Sequence, residues 1–356
     1  MLTLTETLPA PGPRIASGSM LIVGNPEDTH VGGHFARAAE HLIGSSRVCD
    51  VREAHRAPRP VRTFNWRLRG RRPTHLTRFS KQVLEACANE RPTWLLATGI
   101  AAIDRETLAA IGRLGIIRIN FLTDDPWSPS NLAPWFVSGL GEYDHVFTPR
   151  TATMSELRAA GCRRVHHLAF AYAPEIHFPE FPETDADRAR FSSDVAFVGG
   201  ADRERVPWMQ ELAAGNVRLA LYGAYWDRDA VTARFARGLA DAGTTRKAIG
   251  GAAVSLCLVR RSNRDGHCMR SFEVPAMAGC MVVEDTEEHR AMFGPEGEAV
   301  VYAASPRDAL LKTRYLLEDP LECRRLRDAA HRRIVTGRHT YADRLQTILT
   351  TVTADA

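Results

Sequence analysis

The chain has 356 residues, 44% hydrophobic and 25% charged, with a formal net charge of +4 at pH 7. Those proportions belong to a globular protein large enough for two cores and exclude a disordered chain. No apolar run approaches the roughly 18 residues that a membrane helix needs, and MLTLTETLPAPGPRIASGS lacks the basic start and apolar core of a secretory signal.

Residues 1–19 read as a flexible tail. MLIVGN (20–25) is an apolar run bounded by turn residues, HFARAAEHL (34–42) has helical spacing, and VCDVRE (48–53) reads as the next strand. RTFNWRLRGRRPTHLTR (62–78) interleaves six arginines with Phe64 and Trp66. That pattern suits either a nucleic-acid surface or a solvated loop at the mouth of a cleft, and no RNA-binding signature accompanies it. TWLLATG (93–99), IIRINFLTD (116–124) and DHVFTPR (144–150) repeat the strand theme with helical segments between. Such alternation predicts parallel sheets flanked by helices, with ligands at the carboxyl ends of the strands.

The alternation breaks around 168–193, a stretch rich in proline and aromatic residues that reads as an ordered connection. It resumes with DVAFVGG (194–200), VRLALYG (217–223), AAVSLCLV (252–259), CMVVED (280–285) and AVVYA (299–303). The expected organisation is an amino-terminal Rossmann-like domain over 20–170, a second over 171–338, and a helix over 339–356 that returns to the first.

Seven cysteines without a Cys-x-x-Cys pair argue against a zinc site or a disulfide framework and fit a reducing cytoplasm. Only Lys81, Lys247 and Lys312 are lysines. Coding bias accounts for this, and so does a need for guanidinium forks that grip phosphate or carboxylate.

Three segments carry candidate chemistry. In GNPEDTHVGGHF (24–35), Gly32 and Gly33 permit close backbone approach and a helix start offers unpaired N–H groups. His34 there is a candidate general base. The dinucleotide fingerprint Gly-x-Gly-x-x-Gly is missing, and a plain tight turn explains the segment equally well. In FVGGADRER (197–205), a strand ends in Gly199 and Gly200 before arginines, an arrangement suited to an anion. The third, NRDGHCMRSFEVPAMAGCMVVED (263–285), places Arg270 and a predicted Ser271 cap at a helix start beside a strand end. Phosphate oxygens would fit there, and Glu273 could accept from two vicinal ribose hydroxyls. The alternative is that Glu273 only complements the helix dipole.

In order and spacing, DVAFVGGADRER, LALYG, MRSFEVPAMAGCMVVED, FGPEGEAVVYAASPRDALLKTRYLLEDP and RHTYADRL cover most of 190–350. There the chain resembles the CgeB-like (spore-maturation type) glycosyltransferases, related to the glycosyl transferases group 1 family. The first half is similar only through NFLTDDP (120–126) and HHLAFAYAPEIHFP (166–179).

The resemblance implies the GT-B fold, in which two Rossmann-like domains face each other across a cleft and the second holds a nucleotide-sugar. It implies Glu273 on the donor ribose; Arg270, Ser271 and Gly200 around the diphosphate with Arg205 assisting; and Tyr222, Gly223, Val259 and Arg260 beside the base. Asp265 stands at the first position of that group's Glu-x7-Glu pair, and His267 and Cys268 lie where sugar hydroxyls or phosphate would be read. It also implies no metal and no cofactor beyond the co-substrate. Leaving-group charge would then be met by cations and N–H groups.

The expected activity is transfer of a hexose from a UDP-sugar or similar donor to a hydroxyl of a small acceptor, such as a natural product or nucleoside. Gly32, Gly33, His34 and Asp124 would face the acceptor, and His34, Asp124 or Asp125 would supply a base if the reaction inverts. Three rivals remain: a nucleotide-dependent oxidoreductase, a non-catalytic nucleotide-sugar sensor, and an arginine-rich nucleic-acid-binding protein.

Overall fold

The computed structural model describes residues 16–355. The expected tail over 1–19 therefore lies mostly outside the described residues, but Ala16–Gly24 form the first strand, so that strand begins before Met20.

Two compact units divide the chain. Of the described residues, the first comprises 16–169, the three residues Ser262–Arg264, and 341–355; the second comprises Phe170–Arg261 and Asp265–Thr340. Each is built on one all-parallel sheet covered by helices.

The sheet of the first unit runs β2-β1-β3-β4-β5-β6: β1 (Ala16–Gly24), β2 (Ile43–Asp50), β3 (Trp94–Thr98), β4 (Ile117–Phe121), β5 (His145–Thr148) and β6 (Val165–His167). Met20 to Val23 pair with Trp94 to Ala97 in parallel register, and all four are buried. Continuous apolar runs of this kind are what a sheet covered on both faces requires. The last helix, Tyr341–Ala354, packs in this unit, with the Tyr341 ring 4.8 Å from His34 and 5.2 Å from Phe35.

The second sheet runs β11-β10-β9-β7-β8: β7 (Ser193–Val198), β8 (Leu219–Tyr222), β9 (Ala252–Cys257), β10 (Met281–Glu284) and β11 (Val301–Ala303). Several of its helices start at side-chain caps that satisfy otherwise unpaired N–H groups. Asp241 accepts from Thr244 N at 2.7 Å, Thr286 from His289 N at 3.0 Å, and Ser305 from Asp308 N at 3.2 Å.

Strand order reverses between β1 and β3 in the first unit and between β7 and β9 in the second. At such a switch point the connecting helices leave to opposite faces, and a crevice opens at the carboxyl ends of the strands.

Two local expectations are corrected. Residues 62–78 are not a loop throughout, because Arg59–Leu68 form a helix entered at Pro58. The expected strand over 48–53 ends at Asp50, and Arg52–His55 turn into a short helix.

Candidate functional site

The switch point of the second unit brings the end of β7 beside the end of β9. After β7 the chain turns through Gly199 and Gly200, and Asp202 caps the next turn by accepting from Glu204 N at 3.0 Å and Arg205 N at 2.9 Å. Gly223, following β8, has φ +140°, and a Cβ there would meet Gly199 O at 2.2 Å. Only glycine lets the two loops close to this distance. Trp226 Nε1 donates to Gly199 O at 2.8 Å and fixes the β7 loop from below.

Arg205 is buried across the switch point. Its guanidinium donates to Gly200 O at 3.2 Å and to Leu258 O at 3.4 Å, joining the β7 loop to the end of β9. Its first task is thus structural, which narrows the assisting role expected for it at a diphosphate. Arg260 lies 3.5 Å from Asp202. Val259 is buried and gives its N–H to Glu284 Oε2 at 3.1 Å, while Arg261 donates to the other oxygen of Glu284 at 2.7 Å. Glu284, at the end of β10, was not anticipated from sequence; its only signal was an acid closing an apolar strand. A cavity of about 310 Å³ opens here at the carboxyl edge, lined among others by Arg205, Trp208, Val259, Arg261, Glu284 and Ser305.

The helix Arg270–Ala276 follows the next loop. Arg270 donates from Nε to Val198 O at 3.1 Å, which fastens the start of this helix to the end of β7. Its Nη1 pairs with the Glu273 carboxylate, which is wholly buried. His177 faces the same carboxylate, with Nε2 3.5 Å from Oε1. Because His177 Nδ1 accepts from Ala173 N at 3.0 Å, the proton of the neutral ring resides on Nε2 and points toward Glu273. The sequence suggested a carboxylate open to a ribose; the fold gives that carboxylate to Arg270 and His177.

Ser271 is not the helix cap. The helix begins one residue earlier, with Met269 at the cap position and no side-chain capping bond. The buried Ser271 hydroxyl instead lies 2.8 Å from His289 Nε2, and it accepts from Cys268 N at 3.1 Å. His289 Nδ1 lies 2.7 Å from Glu284 O, an obligate acceptor, so Nε2 is the acceptor for the Ser271 proton. Burial holds the His289 pKa below its ordinary value, which keeps the ring neutral.

His267 is engaged within its own unit. It is buried, accepts at Nε2 from Phe170 N at 3.2 Å, and pairs through Nδ1 with Glu288. Both ring nitrogens are committed, the usual state of a core histidine. Cys268 turns its thiol toward Cys257, with the sulfurs 3.7 Å apart, and the shared hydrogen bond and burial push the Cys257 thiol upward. Tyr222 is buried in β8, and burial raises its pKa, so a contact with a base would fall to its backbone and to Gly223. Asp265 is half-buried, with its N–H 3.3 Å from Arg260 O.

In the first unit, a Cβ on Gly32 would meet Asn25 O at 2.6 Å, and one on Gly33 would meet Glu27 O at 2.4 Å. These glycines serve the packing of their own turn. His34 is wholly buried and stacked on Tyr341, a poor station for a general base that must exchange protons with an acceptor. Asp125 is also buried. It takes Arg264 Nε at 2.6 Å and Trp127 N at 2.9 Å, and its own N–H donates to Asn263 at 2.8 Å. These partners tie Asp125 into a structural knot of the first unit. The two acids, Asp125 first and then Glu156, raise the Arg264 pKa. Asp124 is half-buried, accepts from Thr123 Oγ1 at 3.0 Å, and remains open to a ligand role.

Residues 203–350 match the family model described as Glycosyl transferase-like. The match spans 148 of the 356 residues. No curated protein matches the sequence. Among solved structures, a sucrose-phosphate synthase of Thermosynechococcus elongatus superposes with a TM-score of 0.64 at 11% identity, covering 95% of this chain and 100% of that one. Anabaena HepE in complex with UDP-glucose gives 0.64 at 10% identity, covering 95% and 100%. A candidate UDP-N-acetylglucosamine 2-epimerase of Listeria monocytogenes gives 0.56 at 11% identity, covering 96% and 98%. At such identities the likeness is one of fold: two Rossmann-like parallel-sheet units, as in GT-B glycosyltransferase structures. No described helix is long and apolar enough to cross a membrane.

Proposed function

We propose that this protein is a nucleotide-sugar-dependent glycosyltransferase of the CgeB-like type, moving a hexose from a UDP-sugar to a hydroxyl of a small acceptor. The observation that carries this reading is Arg270. It lies within the glycosyl transferase-like segment, fastened to the end of β7 at the switch point and oriented by the buried Glu273.

In this reading the second unit holds the donor. The diphosphate lies against the Gly199–Gly200 turn and Arg270, and the base lies toward Gly223, Val259 and Arg260. The acceptor oxygen forms a bond to the anomeric carbon as the bond from that carbon to the diphosphate breaks, and the acceptor proton leaves to a base or to the departing phosphate. Charge develops on the leaving diphosphate, so a cation already in place lowers the barrier without reorganisation. Glu273 acts through Arg270 as a positioning residue. Asp124 and Asp265 are the half-buried acids assigned to the acceptor and the sugar. Support for a UDP-sugar comes from the fold neighbour solved with UDP-glucose.

The test is calorimetric titration of UDP and GDP, followed by a donor screen in which mass spectrometry detects the transferred hexose. Binding of UDP with hexose transfer supports the proposal. Binding without transfer to any acceptor supports a sensor, and absence of nucleotide binding removes the reading.

A further inference from the structure

The helix Arg59–Leu68 is the segment of the first unit that the proposed chemistry leaves unused. Residues 54–84 contain nine Arg and Lys and no Asp or Glu. Among the described residues, no arginine between 56 and 78 takes part in an ion pair. The field of this segment is therefore positive and uncompensated locally, and it attracts an anionic partner.

The helix is also apolar where a solvated helix would be polar. Val61 is 41% exposed, Phe64 54%, Trp66 57% and Leu68 73%, while only Asn65 is buried, held to Thr74 Oγ1 at 3.0 Å. Val61, Phe64 and Leu68 recur at i, i+3 and i+7 and share one face. Trp66 stands apart from that stripe, with the Arg71 guanidinium 4.9 Å from its ring. Arg71 itself is anchored to Leu132 O at 2.8 Å, so this corner of the helix is braced against the body of the unit.

The geometry points to a lipid surface: this helix docks the protein on an anionic bilayer, with Phe64, Leu68 and Val61 entering the headgroup boundary and the arginines meeting lipid phosphates. An interfacial helix needs both an apolar stripe and flanking cations, and this one has both. A single-stranded nucleic acid would use the arginines and stack on Trp66 or Phe64. It offers nothing to the aliphatic Val61 and Leu68, which an acyl boundary would cover.

Co-sedimentation of the full chain with vesicles tests this. One set is phosphatidylcholine alone, the other phosphatidylcholine with phosphatidylglycerol, each at low and raised salt, with a single-stranded oligonucleotide as competitor. The expected result is sedimentation with the anionic vesicles only, weakened by salt. Arg62→Glu with Arg67→Glu should lower that binding more than about tenfold. Phe64→Ser with Leu68→Ser should lower it about tenfold with every charge intact. All four side chains are exposed, so unchanged circular dichroism and melting are expected. Three outcomes overturn the inference: no sedimentation with either vesicle, binding indifferent to the Phe64 and Leu68 changes, or displacement from vesicles by the oligonucleotide at lower concentration than by free phosphatidylglycerol vesicles.

Discussion

The hydroxyl of Ser271 donates to His289 Nε2 across 2.8 Å, in a place where neither residue has measurable contact with solvent. The pair resembles a nucleophile and its base, but burial gives it a different task. It fixes the loop before Arg270 against the end of β10.

This relationship predicts a pH dependence. Burial depresses the folded pKa of His289 below its ordinary value of 6.5, so in acid the unfolded chain binds a proton that the folded chain refuses. The contribution is fully present above pH 6.5 and is lost as pH falls from there toward the depressed value, at up to about 1.4 kcal/mol per pH unit. Burial also depresses His30, His55, His145 and His166, so the wild type alone cannot isolate the effect. Urea melts of wild type and His289→Gln between neutrality and pH 5 should show a shallower decline in the variant. Parallel declines would mean that His289 is protonated in the fold.

The Arg270–Glu273 pair predicts a difference between two ligands. If Glu273 acts by orienting Arg270 toward phosphate, Glu273→Gln weakens UDP binding about tenfold, or 1.4 kcal/mol, and leaves uridine binding unchanged. If Glu273 instead touches the ribose, both ligands weaken together. Calorimetry with UDP and uridine separates the two, and Arg270→Ala should follow the first pattern.

Gly223 gives a backbone prediction. Alanine there would hold φ +140° and place its Cβ 2.2 Å from Gly199 O. The strain alone costs about 1–3 kcal/mol, and the β7 loop must also retreat. Gly223→Ala should therefore lower both the melting temperature and UDP affinity, whereas a loss of stability with full affinity would place the nucleotide away from this loop.

Much of the fold was legible because it is written locally. Apolar runs such as Met20 to Val23 and Val195 to Val198, bounded by turn residues, read as buried strands and are buried in the fold. What sequence missed depends on distant partners. His267 read as a ligand because Glu288, which occupies it, stands 21 residues away. Ser271 read as a cap because nothing nearby announces His289. The three-residue strand β6 was not anticipated, since only Val165 of its residues is buried. The helix Arg59–Leu68 was hidden by its arginines, whose charge masks the apolar stripe. Glu273 was legible as an important acid, but its burial was not.

The segment Ser262–Arg264 is the most distant of these cases and yields the last prediction. Asn263 Oδ1 accepts from Asp125 N at 2.8 Å and from Asn131 Nδ2 at 2.9 Å, and its own carbonyl accepts from the buried Arg150 at 2.9 Å. Next to it, Arg264 sits at φ +53° and joins Asp125 to Glu156. Partners more than a hundred residues apart are thus satisfied by one three-residue excursion of the chain. Asn263→Ala removes one acceptor from two donors, and a buried donor left without a partner costs about 1–3 kcal/mol. The Arg264 side chain is partly solvated, so Arg264→Ala should cost less than Asn263→Ala despite removing a charge. Chemical melts of the two variants should fall in that order. The reverse order would show that the ion pair with Asp125, and not the amide of Asn263, holds this segment in the first unit.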